Sequence, residues 1–412
     1  MSKIAKAHKD ECRRIKRIAL ISTSAIIAGA GAISSAHATE SVIYNFTGGT
    51  TDGGNPYAGL TDDGSGNLYG AAFAGGASGQ GVIFKITTGG TFSALASLPG
   101  GGNGGGPTSP PHIPLAGTGV IFGTAAYGSV SAGVGSGYGT LYELTPSGSS
   151  YSYNYADFNG TSLGANPFGG LSNDSAGNLY GTAYNGGANG KGVIFEVVSG
   201  GTTPTRLYSF GASAHDGANP YAGVWADGSG NTYGTTVLGG SSSDGTLFTL
   251  PSGASAPTIL HNFAGGSDGS EPRGDVYYDG TNLFGTTFVG GTSSDGTAFK
   301  AASGGAITIL HPFSGGTTDG SFPYAGLTED SSGNLWGTTS NGGAHGQGTI
   351  FELISTGGGS YLYSLKYSFS GGSGDGANPY GLLVYDSGTS SLFGTTHNGG
   401  TSGVGTVFQY TP

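Results

Sequence analysis

Residues Pro323 to Leu353 read PYAGLTEDSSGNLWGTTSNGGAHGQGTIFEL. Three short runs of β-forming residues, Pro323–Leu327, Asn334–Thr339 and Gly348–Leu353, are separated by polar, glycine-rich breaks. Asp330-Ser331-Ser332-Gly333 has the composition of a tight turn between the first two runs. Asn341-Gly342-Gly343 opens a looser loop before the third. The stretch predicts three consecutive short strands.

The pattern recurs. The third run carries an aromatic at Phe84, Tyr142, Phe195, Phe248, Phe299, Phe351 and Phe408, spaced 51 to 58 residues apart. The second run carries a glycine at Gly70, Gly123, Gly181, Gly234, Gly285, Gly337 and Gly394, with the same range of spacings. Both landmarks count seven units. A period near 50 with about four strands per unit points to a radial β-array, because one unit alone cannot bury its faces.

The fourth strand is the run ending in Phe at Arg206–Phe210, Ile259–Phe263, Ile309–Phe313 and Leu365–Phe369. The seventh unit ends at Pro412 without it, and a lone run of the same type, Ser41–Phe46, stands at the front. Pairing that run with the strand through Phe408 closes the ring and removes two open edges. The expected fold is all-β, a seven-bladed β-propeller of four-stranded antiparallel blades closed by the N-terminal strand. Proline opens the first strand at Pro56, Pro167, Pro220, Pro272, Pro323 and Pro379, as tolerated where an N–H faces solvent. Glycine follows at Gly59, Gly170, Gly223 and Gly326, where seven inner strands crowd the axis. Tyr69, Tyr180, Tyr233, Phe284, Trp336 and Phe393 read as packing between blades.

Before the first repeat, seven basic residues from Lys3 to Arg17 precede the apolar run Ile18–Ile33 and then Ala36-His37-Ala38. That order predicts a signal peptide over residues 1–38, cleaved after Ala38, and a secreted or cell-surface protein. The competing reading, a retained membrane anchor, is weakened by Ser22, Ser24, Gly29 and Gly31 within a short run. The single cysteine, Cys12, falls in this leader, so residues 39–412 hold no disulfide, thiolate nucleophile or cysteine metal ligand. They form one expected domain, retain six basic and 22 acidic residues, and carry a formal charge of −16. Such a surface repels phosphate backbones, so nucleic acid is excluded as a partner. No later run is long and apolar enough to span a bilayer, and a monomer is expected.

The consensus PYAGL-x-x-D-x-SGN-LYGTT-x-x-GG, followed by GTVFKL and preceded by LYSF-x-GG-x-x-DG-x-x-P, resembles the GloVer repeat of secreted bacterial proteins. The resemblance runs from about Ser41 to Pro412. It departs in the second unit, at Gly101–Pro114, and in the fifth, at Arg273-Gly274-Asp275. It supports the propeller and implies no particular activity.

Chemistry is expected on the face that carries the loop between strands two and three and the connection into the next strand one. Asp52, Asp216, Asp268, Asp319 and Asp375 recur there at one equivalent position. They form either a ring of carboxylates for a hard cation, with calcium the candidate, or turn residues that accept backbone N–H groups. No cofactor is required by this reading. His215, His345 and His397 stand in the loops of the same face, one per blade, and His261 and His311 fill a slot held elsewhere by tyrosine. The fifth unit breaks the pattern with Glu271-Pro272-Arg273-Gly274-Asp275, which puts three charges where other units are neutral. Glu271, Arg273, Asp275 and the three loop histidines are therefore the candidate ligand contacts. The Asp-x-Ser-Gly-Asn stretches, such as Asp63–Asn67 and Asp330–Asn334, read as hairpin turns on the opposite face, since the calcium-loop ligand pattern ending in Glu is absent. No nucleophile elbow or phosphate loop is present, and catalytic residues stay unassigned. The expectation is non-catalytic binding of a glycan or cell-envelope component. The alternative is a glycan-cleaving lyase or hydrolase with its site at the axis of the loop-rich face.

Overall fold

The computed structural model describes residues 38–100, 103–114, 118–128, 137–213, 215–302 and 304–412. The leader expected over residues 1–38 lies outside them apart from Ala38. Every regular element among the described residues is a strand. They assemble into seven antiparallel blade sheets, six of four strands and one of three, with three further two-stranded pairs in the loops, and residues 39–411 form one body. Blade six shows the plan. Thr328–Glu329, Leu335–Thr339, Thr349–Gly357 and Ser360–Ser368 pair in sequence order, with Trp336 opposite both Thr328 and Glu352.

Thr39–Asn45 is the outer strand of the seventh blade, antiparallel to Thr406–Thr411, with Val42 opposite Phe408. The expected closure is therefore observed. Phe46, just beyond that strand, packs edge-on against Phe84 of the first blade at 5.4 Å. The phenylalanine ending strand four repeats this contact at Phe158–Phe195, Phe210–Phe248, Phe263–Phe299, Phe313–Phe351 and Phe369–Phe408.

No single core holds the molecule. Side chains alternate across each strand, so each blade turns one set toward the preceding blade and the other toward the following one. Seven apolar wedges result, one between each neighbouring pair, including the pair formed by blades seven and one. In the closing wedge Phe393 and Val407 meet Leu60, Leu68 and Phe84.

The Leu-aromatic-Gly-Thr-Thr signature follows from this packing. A Cβ on Gly337 would lie 2.5 Å from the Phe351 ring, and one on Gly394 would lie 2.5 Å from Phe408. The glycine is thus the seat of the strand-three aromatic. In blades three, five and seven the first threonine reaches the next blade: Thr182 donates to Ala222 O at 2.6 Å, Thr286 to Ala325 O at 2.7 Å and Thr395 to Ala58 O at 2.6 Å. The second meets the threonine of strand three, as in Thr339–Thr349 at 2.7 Å.

One expectation needs correction. Pro323–Leu327 is not a paired strand; the ladder begins only at Thr328. At the axis the proline lacks a donor, and inner segments touch each other rather than their own blades. A Cβ on Gly326 would meet Asp275 O at 2.0 Å, and one on Gly59 would meet Leu382 O at 2.3 Å. In the second blade Pro110, Pro111 and Pro114 reduce strand one to a single bridge between His112 and Phe122.

Candidate functional site: an aromatic collar at the axis

In five blades the segment before strand one brings an aromatic to the axis: Tyr57, Phe168, Tyr221, Tyr324 and Tyr380, all half-buried. The residue after strand two supplies a second set, Phe73, Tyr184, Phe288 and His397, joined by Tyr127 one position further on in blade two. These rings form a closed circuit. Tyr57 stacks on Tyr380 at 5.2 Å, Tyr380 meets Tyr324 at 5.1 Å, and Tyr324 meets Tyr221 at 5.6 Å. Tyr221 stacks on Phe168 at 4.9 Å, Phe168 meets Tyr127 at 6.1 Å, Tyr127 meets Phe73 at 6.2 Å, and Phe73 returns to Tyr57 at 5.3 Å. Edge-to-face and offset geometries dominate, as ring quadrupoles favour.

Both loops expected on one face are tied together there. Gly320–Ser321 pairs with Asn341–Gly342, and Gly376–Ala377 with Asn398–Gly399, linking the entry to strand one with the exit from strand two. The collar lies at the axial end of this loop-rich face.

Blade five interrupts the aromatic series with Arg273. Its guanidinium stacks over Phe288 at 3.8 Å and lies 5.5 Å from the Tyr324 ring, while Nη2 donates to Glu271 Oε2 at 2.7 Å. Tyr324 donates across the gap to the Tyr221 hydroxyl at 2.7 Å. Burial pushes the Tyr57, Tyr221 and Tyr380 hydroxyls upward, so they stay protonated hydrogen-bonding groups at neutral pH. His397 packs against Tyr57 at 4.4 Å, and burial holds its imidazole below the usual range.

The candidate ligand contacts thus separate. Arg273, Glu271 and His397 belong to the collar. Asp275 points the other way, into the throat of the axis, where Oδ1 accepts Gly223 N–H at 2.7 Å and burial raises its carboxyl. His215 and His345 are exposed, and neither bonds to a collar residue among the described residues.

The five repeated aspartates each serve their own blade. The hydroxyls of Tyr44, Tyr208 and Tyr367 donate to Asp52, Asp216 and Asp375 at 3.2, 2.7 and 3.1 Å. His261 and His311 take the tyrosine's place, with Nε2 at 2.9 Å from Asp268 Oδ2 and 3.1 Å from Asp319 Oδ2. Backbone N–H groups of Thr47, Gly211, Ala264, Ser314 and Ser370 complete the turns. Among the described residues no group of three or more His, Cys, Asp or Glu side chains is placed to hold one metal ion.

Sequence reasoning missed the collar, although its signal is visible. A tyrosine follows the strand-one proline in four units, at Tyr57, Tyr221, Tyr324 and Tyr380, and Phe168 takes that place in a fifth.

The Gloeobacter/Verrucomicrobia repeat family matches residues 23–224, 109–331 and 223–412. No curated protein matches the sequence. Among solved structures, the extracellular domain of a hybrid two-component system from B. thetaiotaomicron is similar with a TM-score of 0.59 and 10% identity, over 90% of this chain and 39% of that one. An oligogalacturonate lyase in complex with manganese gives 0.55 and 11%, over 91% and 96%. An ancestral GH74 enzyme gives 0.54 and 12%, over 88% and 48%. The chain therefore spans less than half the length of two of these neighbours. At such identities the likeness is one of fold.

Proposed function

The chain belongs to the Gloeobacter/Verrucomicrobia repeat family, and from that premise we propose that it is a secreted, non-catalytic propeller whose collar binds a glycan or another cell-envelope component. The observation that carries this is the closed circuit of aromatic rings at the axial mouth, joined by the Arg273–Glu271 pair. Half-buried tyrosines offer apolar faces to the C–H side of a sugar ring and hydroxyls to its edge. Arg273, held flat on Phe288, presents a preset guanidinium to a carboxylate. The basic, apolar and Ala-x-Ala order of residues 3–38 supports export. No helix among the described residues is long and apolar enough to cross a membrane.

Binding to an array of neutral and acidic glycans tests the reading. Tyr324→Ala is expected to weaken every bound glycan by about tenfold, the scale of one lost aromatic contact. Arg273→Ala is expected to weaken acidic glycans and spare neutral ones. Unchanged binding in both variants defeats the proposal. Release of new chain ends from a bound glycan would instead establish the cleaving alternative.

A further inference from the structure

The opposite end of the axis holds a larger space. A funnel of about 630 Å³ opens on the face of the Asp-x-Ser-Gly-Asn turns, walled by the first strands of all seven blades. It meets the collar side through a throat that contains Asp275 and Leu382 and has about 60 Å³ of free volume. The funnel volume falls in the range of small-molecule sites.

Its wall has a definite chemistry. Asp62 and Glu329 stand on it, Asp275 lies at its base, and among the described residues no lysine or arginine lines it. Trp225, Tyr277 and Tyr385 supply aromatic surface, with Trp225 and Tyr277 edge to face at 5.4 Å. Trp225 is 36% exposed, unusual for so large a side chain. His112 is held neutral by burial and bonded to Asn173 at 3.0 Å, so it offsets none of the negative charge. Burial raises the carboxyl of Asp62, with the charges of Asp386 and Asp63 adding to it, and burial raises that of Asp275.

We propose that this funnel is a second binding site, for a small ammonium-bearing organic cation. Aromatic faces attract an alkylammonium head through the ring quadrupole. The three carboxylates supply the balancing charge. They are spread around the wall, and Tyr277 already donates to Glu329, so the arrangement suits an extended organic cation better than a single metal ion. The acidic surface of residues 39–412 adds long-range attraction.

The probe is choline, compared with its uncharged isostere 3,3-dimethylbutan-1-ol. Trp225 reports binding by fluorescence, since the second tryptophan, Trp336, is buried. Choline is expected to give a saturable change, and the alcohol none. Glu329→Gln and Asp275→Asn are each expected to weaken choline at least about tenfold. Calorimetry on Trp225→Phe separates loss of signal from loss of binding. If Asp275→Asn does not fold, Asp62→Asn takes its place. Equal responses to choline and the alcohol, no saturable response, or full affinity in both carboxylate variants overturns the proposal.

Discussion

At Asn219 two demands meet in one side chain. Its backbone is left-handed, with φ at 58°, and the amide donates to Tyr184 O of the preceding blade at 3.1 Å. Asn55, Asn166 and Asn378 do the same at φ of 52°, 57° and 54°, donating to His397 O, Ala126 O and Ser340 O. Asparagine tolerates this conformation, and its short amide reaches the neighbour. Asn219→Ala is expected to cost about 2 kcal/mol in urea unfolding, combining left-handed strain with a lost hydrogen bond. Asn219→Gly removes the strain and is expected to cost about half as much. The repeated aspartates belong to the same scale. With Asp216 accepting from Tyr208, Gly211 and Ala212, calcium is expected to leave the melting temperature unchanged, and Asp216→Asn to cost about 1 kcal/mol with or without calcium. A calcium-dependent rise that disappears on Asp→Asn substitution in several blades would establish a cation ring instead.

The strand is the scale at which glycine and aromatic specify one another. Gly337 and Phe351 are cross-strand partners, and the ring fills the place of the missing Cβ. Gly337→Ala is expected to destabilise the protein by about 2 kcal/mol through overpacking. Combined with Phe351→Leu, the two losses should fall short of additive, because the smaller side chain vacates the contested space. Calorimetric melting of the two single variants and the double variant checks this. The outer strand of blade seven carries more weight than its length suggests. Removing residues 39–46 exposes the edge at Thr406–Thr411 and takes Phe46 out of the closing wedge. A fall in melting temperature well beyond that of Phe46→Ala alone is the expected outcome.

For the whole molecule, closure also sets a pH response. Glu40, on the closing strand, has its carboxyl raised to about 7 by burial and then by the charge of Asp375, against a hydrogen bond from Tyr367. A carboxyl raised in the folded state contributes stability that is complete below its ordinary value of 4.5 and is lost as pH rises through about 7. Asp319 runs oppositely. Burial pushes it up, but bonds from His311, Tyr363 and Ser314 outweigh burial and hold it at about 2. Its contribution is present above the ordinary 3.8 and lost as pH falls through about 2. Stability is therefore expected to peak in the mildly acidic range. Glu40→Gln should flatten the decline between pH 4.5 and 7 and leave the acid limb intact, as read by denaturant midpoints across that range.

Blade number, strand order and the closing strand were legible in the sequence because each depends on local pattern repeated seven times. Gly394 and Phe408 recur in register with their counterparts, and the unpaired run Ser41–Phe46 matches the strand that the last repeat lacks. The aspartates at positions 52 to 375 were legible as turn or cation residues, and the sequence left that choice open. Only the tertiary structure brought Tyr57, Phe168, Tyr221, Tyr324 and Tyr380 into one circuit, since their contacts join residues a blade or more apart. It also parted Arg273 from Asp275. Two positions apart on a strand they would share a side, but the axial segment is irregular there, so one serves the collar and the other the throat. Local repetition writes the blade, and the space where seven blades converge is decided by ring closure.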